Sequence, residues 1–252
     1  MTTFQAIILG AIQGLTEFLP ISSSGHLVLG QAILHIDQPG NEFEILVHLG
    51  TLFSVIVVFF DDIRSILFSL NTKKTQKLLT FLVIGTLPAI IVGLGFKDFF
   101  ESFFENLSSV AIALMFTGLV LLSSFYIKRR DKEHSLVTAI FIGSAQAIAI
   151  IPGISRSGMT ISAALFLGLS AKEAARFSFL LAIPAISGAG LLTALETGGS
   201  FSLSLNVALA GFMSSFFIGV MALRWLLGWL EQGKFYYFGI YCFIIGIITI
   251  VI

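Results

Sequence analysis

Most of the chain consists of long apolar segments separated by short polar ones. A helix needs about 20 apolar residues to cross the roughly 30 Å hydrocarbon layer of a membrane. Six uninterrupted segments come close to that length. They are residues 43–60, 78–96, 107–127, 175–195, 203–223 and 235–252. The pattern therefore predicts an all-α integral membrane protein with six transmembrane helices.

Two further apolar regions are interrupted near their middle by a polar segment. Arms 4–19 and 27–34 flank the first interruption, and arms 136–151 and 159–169 flank the second. The longest arm would extend only about 24 Å at 1.5 Å per residue, which is too short to span. Kinked spans and re-entrant helical hairpins both fit this pattern. We favour two re-entrant hairpins, because irregular backbone is tolerated at membrane depth only when protein surrounds it.

The two interrupted regions are also copies of one another. An ungapped shift of 133 residues gives six identities in the sixteen positions 10–25, where about one is expected from typical residue frequencies. The identical pairs are Gly10 and Gly143, Gln13 and Gln146, Ile21 and Ile154, Ser22 and Ser155, Ser24 and Ser157, and Gly25 and Gly158. Each copy has one hairpin and three spans, so the odd number of spans inverts the second copy. We therefore expect one membrane domain, 1–252, built as an inverted-topology repeat with halves of about 1–130 and 131–252.

The composition supports a membrane protein and excludes several other classes. Charged residues make up 11% of the chain, against roughly 25% in soluble domains. The 14 basic and 14 acidic residues cancel, so nothing indicates a nucleic-acid partner. Cys242 is the only cysteine, which excludes an intramolecular disulfide and a cysteine-based metal site. The first residues lack the basic flank of a cleavable signal peptide, so we expect them to remain in the mature protein.

The few charged residues are distributed unevenly between the two predicted faces, if both hairpins return to their own side. One face carries twelve basic residues: Arg64, Lys73, Lys74, Lys77, Lys128, Arg129, Arg130, Lys132, Lys172, Arg176, Arg224 and Lys234. The other face combines a single basic residue with seven acidic ones: Lys97, Asp37, Glu42, Glu44, Asp98, Glu101, Glu105 and Glu196. The positive-inside rule places the first face in the cytoplasm. Both termini and the mouth of the first hairpin are then expected outside, and the second hairpin enters from the cytoplasm.

Candidate functional residues are concentrated at the two hairpin tips. An ionisable group inside an apolar segment costs about 2.5–3.5 kcal/mol on insertion scales, which makes each one a functional candidate. Gln13 and Glu17 are four residues apart and share one face of the first arm. His26 lies in the first turn of the return arm, and Arg156 takes the place that Ser23 has in the first tip. The two tips are therefore complementary rather than duplicated.

This set of side chains suits a phosphate group. Helix N-termini that open from Ser/Gly tips present free N–H groups to an anion, and Arg156 can add a bidentate clamp. A divalent cation, Mg²⁺ or Ca²⁺, bound by Glu17 would explain an acid beside an anion. Glu17 could instead act as a general base or orient His26, and Ser23 or Ser22 with His26 could form a nucleophile–base pair. The other candidate substrate-binding residues are Gln13, Ser24, Gly25, Ser155, Ser157, Gly158 and His48.

Each of these residues also has a purely structural alternative. Serine and glycine at a helix break are commonly caps or packing residues. Glu17 could be a protonated hydrogen-bonding partner, His26 an interhelical hydrogen bonder, and Arg156 a tie between the repeats. At the level of function, the rival is a transporter or flippase of a lipid-linked or anionic phosphate, because broken helices in inverted repeats are common in transporters. The differences between the tips favour an enzyme.

Three motifs closely resemble the undecaprenyl pyrophosphate phosphatase family of bacteria, the bacitracin-resistance type. Residues 13–26 read QGLTEFLPISSSGH and resemble the family's (E/Q)xxxE motif and SSxGH segment. Residues 152–158 read PGISRSG and resemble the PGxSRS part of a second family motif, and residues 47–51 resemble a third common segment. The likeness extends over the whole chain in length, hydropathy and order of elements. The main departure is Gln13, where many members have Glu, and this puts Gln13 in doubt as a catalytic acid.

The resemblance implies a hydrolase of the bacterial plasma (inner) membrane that converts undecaprenyl pyrophosphate to undecaprenyl phosphate. It implies a polyprenyl lipid substrate, a divalent cation (Mg²⁺ or Ca²⁺) bound by Glu17, and a catalytic set of Glu17, Ser23, His26 and Arg156. With the orientation above, the active site is expected to face outside. The attacking group, either Ser23 or a water activated by His26 or Glu17, stays open, as does the oligomeric state.

Overall fold

The structure is a computed structural model in which every regular element described is helical. It describes residues 1–36, 42–96, 107–127, 131–196 and 203–251. Eight of the charged residues used above to orient the chain lie outside the described residues, as does the side chain of Glu196. These eight are Asp37, Lys97, Asp98, Glu101, Glu105, Lys128, Arg129 and Arg130.

The described helices follow the predicted apolar segments closely. They are α1 (Thr3–Phe18), α2 (Ser23–Ile33), α3 (Glu42–Val58), α4 (Phe60–Phe68), α5 (Lys73–Gly95), α6 (Leu107–Ser123), α7 (Leu136–Ile148), α8 (Arg156–Phe166), α9 (Ala171–Glu196), α10 (Leu205–Glu231) and α11 (Tyr237–Val251). A short 3₁₀ turn, Ser124–Tyr126, extends α6.

Among the described residues, four helices are long and apolar enough to cross a membrane: α5, α6 with its 3₁₀ turn, α9 and α10. The pair α3 and α4 would make a fifth span, bent by 69°. The prediction for 235–252 corresponds to α11, an apolar helix of 15 residues. Helix α10 continues to Glu231, eight residues beyond the predicted end at 223, because a single arginine at 224 interrupts hydropathy without interrupting a helix.

Both predicted interruptions are breaks between two helices that pack against each other. Ser22 caps α2, and its hydroxyl accepts a hydrogen bond from the Gly25 amide. Ser155 caps α8 in the same way and accepts from the Gly158 amide. These caps satisfy amide groups that the first turn of a helix leaves unpaired. The tips therefore have the same local hydrogen bonding, as their shared residues predict.

Glycines allow three pairs of helices to approach closely. Helix α1 packs along α10, where a Cβ built on Gly10 would lie 2.5 Å from the carbonyl oxygen of Gly211. Helix α7 packs along α5, where Gly143 faces the Gly85 carbonyl in the same manner. Helices α6 and α11 pack together at residues 118 and 239, each of which is a glycine that faces the carbonyl of the other. Larger residues would separate the backbones at all three crossings.

The tip of each broken pair is held by a helix from the opposite half of the chain. Thr117 of α6 donates its hydroxyl to the Gly153 carbonyl at 3.2 Å and accepts from the Ser155 amide at 3.1 Å. In α11, the Cys242 thiol donates to the Pro20 carbonyl at 3.6 Å. These contacts place the irregular backbone of both tips inside protein, where its polar groups find partners.

Candidate active site

Glu17, at the end of α1, is the centre of the site. The residue is 8% exposed, and its carboxylate accepts hydrogen bonds at both oxygens. Oε1 accepts from Arg156 Nη2 at 2.6 Å, which joins the two tips directly. Oε2 accepts from the Ser23 hydroxyl at 2.6 Å and from Gln13 Nε2 at 3.1 Å. Because a buried charge needs a partner, the ion pair between Glu17 and Arg156 stabilises both groups.

His48 approaches the same carboxylate from α3. Its Nε2 lies 3.8 Å from Glu17 Oε2, and its Nδ1 lies 2.7 Å from the Glu44 carbonyl oxygen. A carbonyl can only accept, so Nδ1 carries a proton and donates it. This bond fixes the ring and directs Nε2 toward Glu17. The structure thus brings His48, one of the predicted substrate-binding residues, into the site.

The site opens onto a cavity of about 410 Å³, within the size range of small-molecule pockets. Its polar lining comprises Glu17, Ser22, Ser23, Ser24, Glu44, His48, Ser155, Arg156 and Thr193. Its apolar lining comprises Ile45, Ala149, Ile150, Ile154, Ala185, Ile186, Ala189 and Gly190. A cavity lined by both charged and apolar residues suits a ligand that joins an anionic head to a lipid chain.

Two buried polar atoms at the site lack a hydrogen-bond partner. They are Nη1 of Arg156 and Oε1 of Gln13. Buried polar atoms are nearly always satisfied in folded proteins, and an exception calls for an explanation. A phosphate oxygen would satisfy the donor, and a cation or a donor on the substrate would satisfy the acceptor. Arg156 lines the cavity, so its free donor indicates that the site is built to bind a further group. Gln13, which was predicted to bind substrate, is fully buried and is not among the residues that line the cavity.

The oxygen atoms at the site are the kind that Mg²⁺ and Ca²⁺ prefer. Glu17 offers a carboxylate, Gln13 a free amide oxygen and Ser23 a hydroxyl. Within the described part of the chain, no group of three His, Cys, Asp or Glu residues could hold a metal ion. The donors present thus fit a cation that shares its remaining coordination positions with phosphate and water, as Mg²⁺ commonly does.

Other predicted substrate-binding residues have internal partners. The amides of Gly25 and Gly158 are bonded to the capping serines, and so are not free for an anion. The Ser157 hydroxyl is buried and donates to the Leu19 carbonyl at 3.4 Å. Ser22, Ser24 and Ser155 do line the cavity. The tips therefore present hydroxyl groups and Arg156 to the cavity, and these glycine amides hold the tip together.

His26 faces away from this cluster. Its Nδ1 lies 2.8 Å from the Ser22 carbonyl, and its Nε2 lies 2.9 Å from the hydroxyl of Tyr241. It is not among the residues that line the cavity. The hydroxyl of Ser23, one of the candidate nucleophiles, is bonded to Glu17 and not to His26.

Two residues near the site, Glu44 and Tyr241, were not predicted from the sequence. Glu44 lines the cavity, and its carboxylate accepts from Gln31 Nε2 at 3.2 Å. Its spacing of four residues before His48 is a helical signal that could have suggested it. Tyr241 is 215 residues from His26 and lies in an apolar helix with no local sign of a site.

Comparison with known proteins gives matches over nearly the whole chain. The family described as "Bacitracin resistance protein BacA" matches residues 6–248. A protein named undecaprenyl-diphosphatase from Desulforapulum autotrophicum is 41% identical over 274 residues, covering 100% of this chain and 98% of that protein. Proteins of the same name from Carboxydothermus hydrogenoformans and Bacteroides fragilis are 43% and 42% identical, each with 100% and 98% coverage. With its motifs and its helical fold, the chain belongs to the bacitracin resistance protein BacA family.

Proposed function

We propose that this protein is an undecaprenyl-diphosphatase, a membrane hydrolase that converts undecaprenyl diphosphate and water to undecaprenyl phosphate and inorganic phosphate. The observation that carries the proposal is the Glu17–Ser23–Arg156 cluster at the wall of a half-apolar cavity. The names of the relatives that match its full length agree with it. The product is the lipid carrier of cell-wall precursors, so the activity supports peptidoglycan synthesis and bacitracin resistance.

Arg156 is proposed to bind the diphosphate. Its free Nη1 can donate to a phosphate oxygen, while Nη2 donates to Glu17 or to a second phosphate oxygen. A planar guanidinium recognises phosphate bidentately and stabilises the charge that develops on the phosphoryl oxygens. When the phosphate takes the place of Glu17 on the guanidinium, the carboxylate is left to accept the proton of Ser23.

Ser23 is proposed as the nucleophile, because its hydroxyl already donates to a carboxylate at 2.6 Å. Its Oγ attacks the terminal phosphorus while Glu17 accepts the proton. The bond from that phosphorus to the bridging oxygen breaks, and undecaprenyl phosphate leaves with the electron pair. Glu17 then gives its proton to the departing undecaprenyl phosphate and is a carboxylate again. Water attacks the phosphoserine with Glu17 as the base, the bond between phosphorus and Ser23 Oγ breaks, and the proton returns to that oxygen as inorganic phosphate leaves.

A divalent cation, Mg²⁺ or Ca²⁺, is proposed to bind at Glu17 and at the free oxygen of Gln13. When bound, it would neutralise charge on the diphosphate. Gln13 contributes no negative charge of its own, so of these two residues Glu17 would supply the charge that holds the cation. The amide of Gln13 meanwhile donates to Glu17 and holds its carboxylate in place.

The architecture is proposed to be an inverted repeat of six spans and two re-entrant hairpins. Under the repeat, α1 corresponds to α7 and α10 to α5, so the glycine crossings at Gly10 and Gly143 are one contact that occurs twice. Helices α6 and α11 correspond to each other, and their reciprocal glycine contacts suit a pseudo-twofold axis between them. The matching caps of the two tips support the same arrangement.

The active site is proposed to face the outside of a bacterial inner membrane. A cysteine at the exposed position His35, at the end of α2, should react with an impermeant maleimide in intact cells. A cysteine at the exposed position Asn71 should react only after the membrane is permeabilised. The parent protein is the control, since its Cys242 is buried and should not be labelled. The reverse labelling pattern would overturn the orientation.

The proposed activity is tested by phosphate release from undecaprenyl diphosphate by the pure protein in detergent. Mg²⁺ or Ca²⁺ should support turnover, and excess EDTA should lower the rate by at least about 100-fold, because the phosphate charge is then not neutralised. Adding the cation back should restore the rate. If the folded protein releases no phosphate with either cation present, the proposed function is wrong. A full rate in EDTA would overturn only the requirement for a cation.

A further inference from the structure

The first tip contains a residue with an unusual backbone conformation. Ser22 has φ of 70° and ψ of 101°, on the side of conformational space that glycine favours. Residues other than glycine adopt such conformations only where surrounding contacts hold them. Ser23, whose hydroxyl donates to Glu17, comes directly after this residue. The direction of the Ser23 side chain therefore depends on what holds Ser22.

His26 holds Ser22 through two hydrogen bonds to a single carbonyl. The backbone amide of His26 donates to the Ser22 oxygen at 3.2 Å, and the ring Nδ1 lies 2.8 Å from the same oxygen. The carbonyl can only accept, so Nδ1 carries a hydrogen. In a neutral imidazole, Nε2 is then left as an acceptor.

Tyr241 of α11 contacts the other side of the imidazole. Its hydroxyl lies 2.9 Å from His26 Nε2 and can donate to it. The two rings are stacked, with centroids 5.7 Å apart and planes at 13°. Both ring nitrogens of His26 thus have a partner, and neither is free for Ser23. The arrangement is a chain from α11 through the imidazole to the Ser22 carbonyl.

The second tip also has a residue at positive φ whose carbonyl is bonded from a neighbouring helix, and this contact needs no histidine, although by the 133-residue shift Gly153 corresponds to Pro20 and not to Ser22. Gly153 has φ of 92°, and its carbonyl accepts directly from Thr117 of α6. Each tip therefore has one residue at positive φ whose carbonyl is tied to the last helix of the opposite half. Each tip thus has a hydrogen-bonded carbonyl at its residue of positive φ, although the side chains that make the bond differ. We take this as support for the view that these hydrogen bonds hold the tips in a required conformation.

We infer that Tyr241 is a positioning residue for phosphate release, acting through His26 to orient Ser23 toward Glu17. In this arrangement His26 also positions the tip and does not accept the proton of the nucleophile. The inference rests on the proposed function, because the group that it orients is the proposed nucleophile. Arg156 and the cavity do not depend on this chain of contacts, so substrate binding should be affected less than turnover.

The Tyr241→Phe variant keeps the stacked ring and loses only the hydroxyl. We expect kcat for phosphate release from undecaprenyl diphosphate to fall about 5- to 10-fold, with KM within about 2-fold of wild type, as for loss of one neutral hydrogen bond. Tyr237→Phe is the matched control, since Tyr237 lies on the same helix and contacts Tyr236 and Trp229. It should leave both parameters unchanged.

Variants of His26 separate a positioning role from a role as proton acceptor. The side-chain amide of asparagine can donate to the Ser22 carbonyl as Nδ1 does, but it cannot act as a base. His26→Asn should retain about one tenth of wild-type kcat, whereas His26→Ala should lose about 100-fold or more. In the His26→Asn background, Tyr241→Phe should change kcat by less than about 1.5-fold, because the atom through which Tyr241 acts is gone.

Three results would each overturn the inference. These are an unchanged kcat in Tyr241→Phe, an equal loss from that substitution in the His26→Asn background, and a His26→Asn variant as inactive as His26→Ala. Wild-type protein assayed in parallel separates the two proposals. If the wild type is inactive, the proposed function fails. If the wild type is active and Tyr241→Phe matches it, only the positioning role of Tyr241 fails.

Discussion

Replacing Glu17 with glutamine is expected to lower kcat for phosphate release by about a thousandfold or more. Glutamine retains the shape of the side chain and can still accept from Ser23, but it cannot take up the proton of the hydroxyl. It also removes the charge that faces Arg156 at 2.6 Å. Breaking a buried ion pair costs about 3–5 kcal/mol, so thermal unfolding has to be measured beside the phosphate-release rate.

Glu173→Gln is the matched control for Glu17→Gln. Glu173 also lies beside an arginine, with its carboxylate 3.7 Å from Arg176, but it does not line the cavity. Its side chain is 39% exposed, so losing its charge should cost little stability and no activity. If Glu17→Gln stays folded and releases phosphate within tenfold of the wild-type rate, Glu17 is not the base.

The second large effect is expected from Arg156→Lys. A lysine has one ammonium group and no planar fork, so it cannot pair with Glu17 and present a second, fixed donor to a phosphate. We expect kcat/KM for undecaprenyl diphosphate to fall about 100-fold, and about 1000-fold or more in Arg156→Ala. Phosphate-release kinetics over a range of substrate concentrations give both parameters.

Arg176→Lys tests whether these losses are specific to the site. Arg176 is partly buried and donates to Asp62 at 2.6 Å. Arg176→Lys therefore makes the same chemical change as Arg156→Lys, also at an arginine that is paired with a carboxylate. Arg176 does not line the active-site cavity, and its lysine variant should keep wild-type kcat/KM. If Arg156→Lys also keeps the wild-type kcat/KM, then Arg156 makes no bidentate contact with phosphate.

The sequence predicted much of the fold because membrane helices are recognisable from local composition. Apolar length alone identified the four helices that are long enough to cross a membrane, and the prolines, serines and glycines identified both helix breaks. The caps at Ser22 and Ser155 were expected because the hydroxyl reaches an amide only three residues ahead. The sequence underestimated α10, since hydropathy marks the end of an apolar stretch and not the end of hydrogen bonding.

The sequence predicted most residues of the site but only some of the contacts between them. The repeat indicated two complementary tips, and the ion pair between Glu17 and Arg156, 139 residues apart, joins them in the structure. Local spacing suggested His26 as the partner of Ser23. In the structure, Ser23 is hydrogen-bonded to Glu17, and His26 is hydrogen-bonded to Tyr241. Spacing in the sequence shows which residues a side chain can reach along one helix. It does not show which rotamer the side chain adopts, and the rotamer decides which neighbour it contacts.

By itself, the sequence determined the membrane class, the two broken helices and the residue types at their tips. These depend on interactions between neighbours, such as apolar length, capping and the loss of helix at proline. Only the tertiary structure decided which polar side chains at the tips are hydrogen-bonded to one another. The partner of His26 is 215 residues away, and Gln13 and Ser23 converge on Glu17 because of how α1, α2 and α8 pack. Buried polar groups must find partners wherever packing brings them, so their pairing is a property of the whole fold.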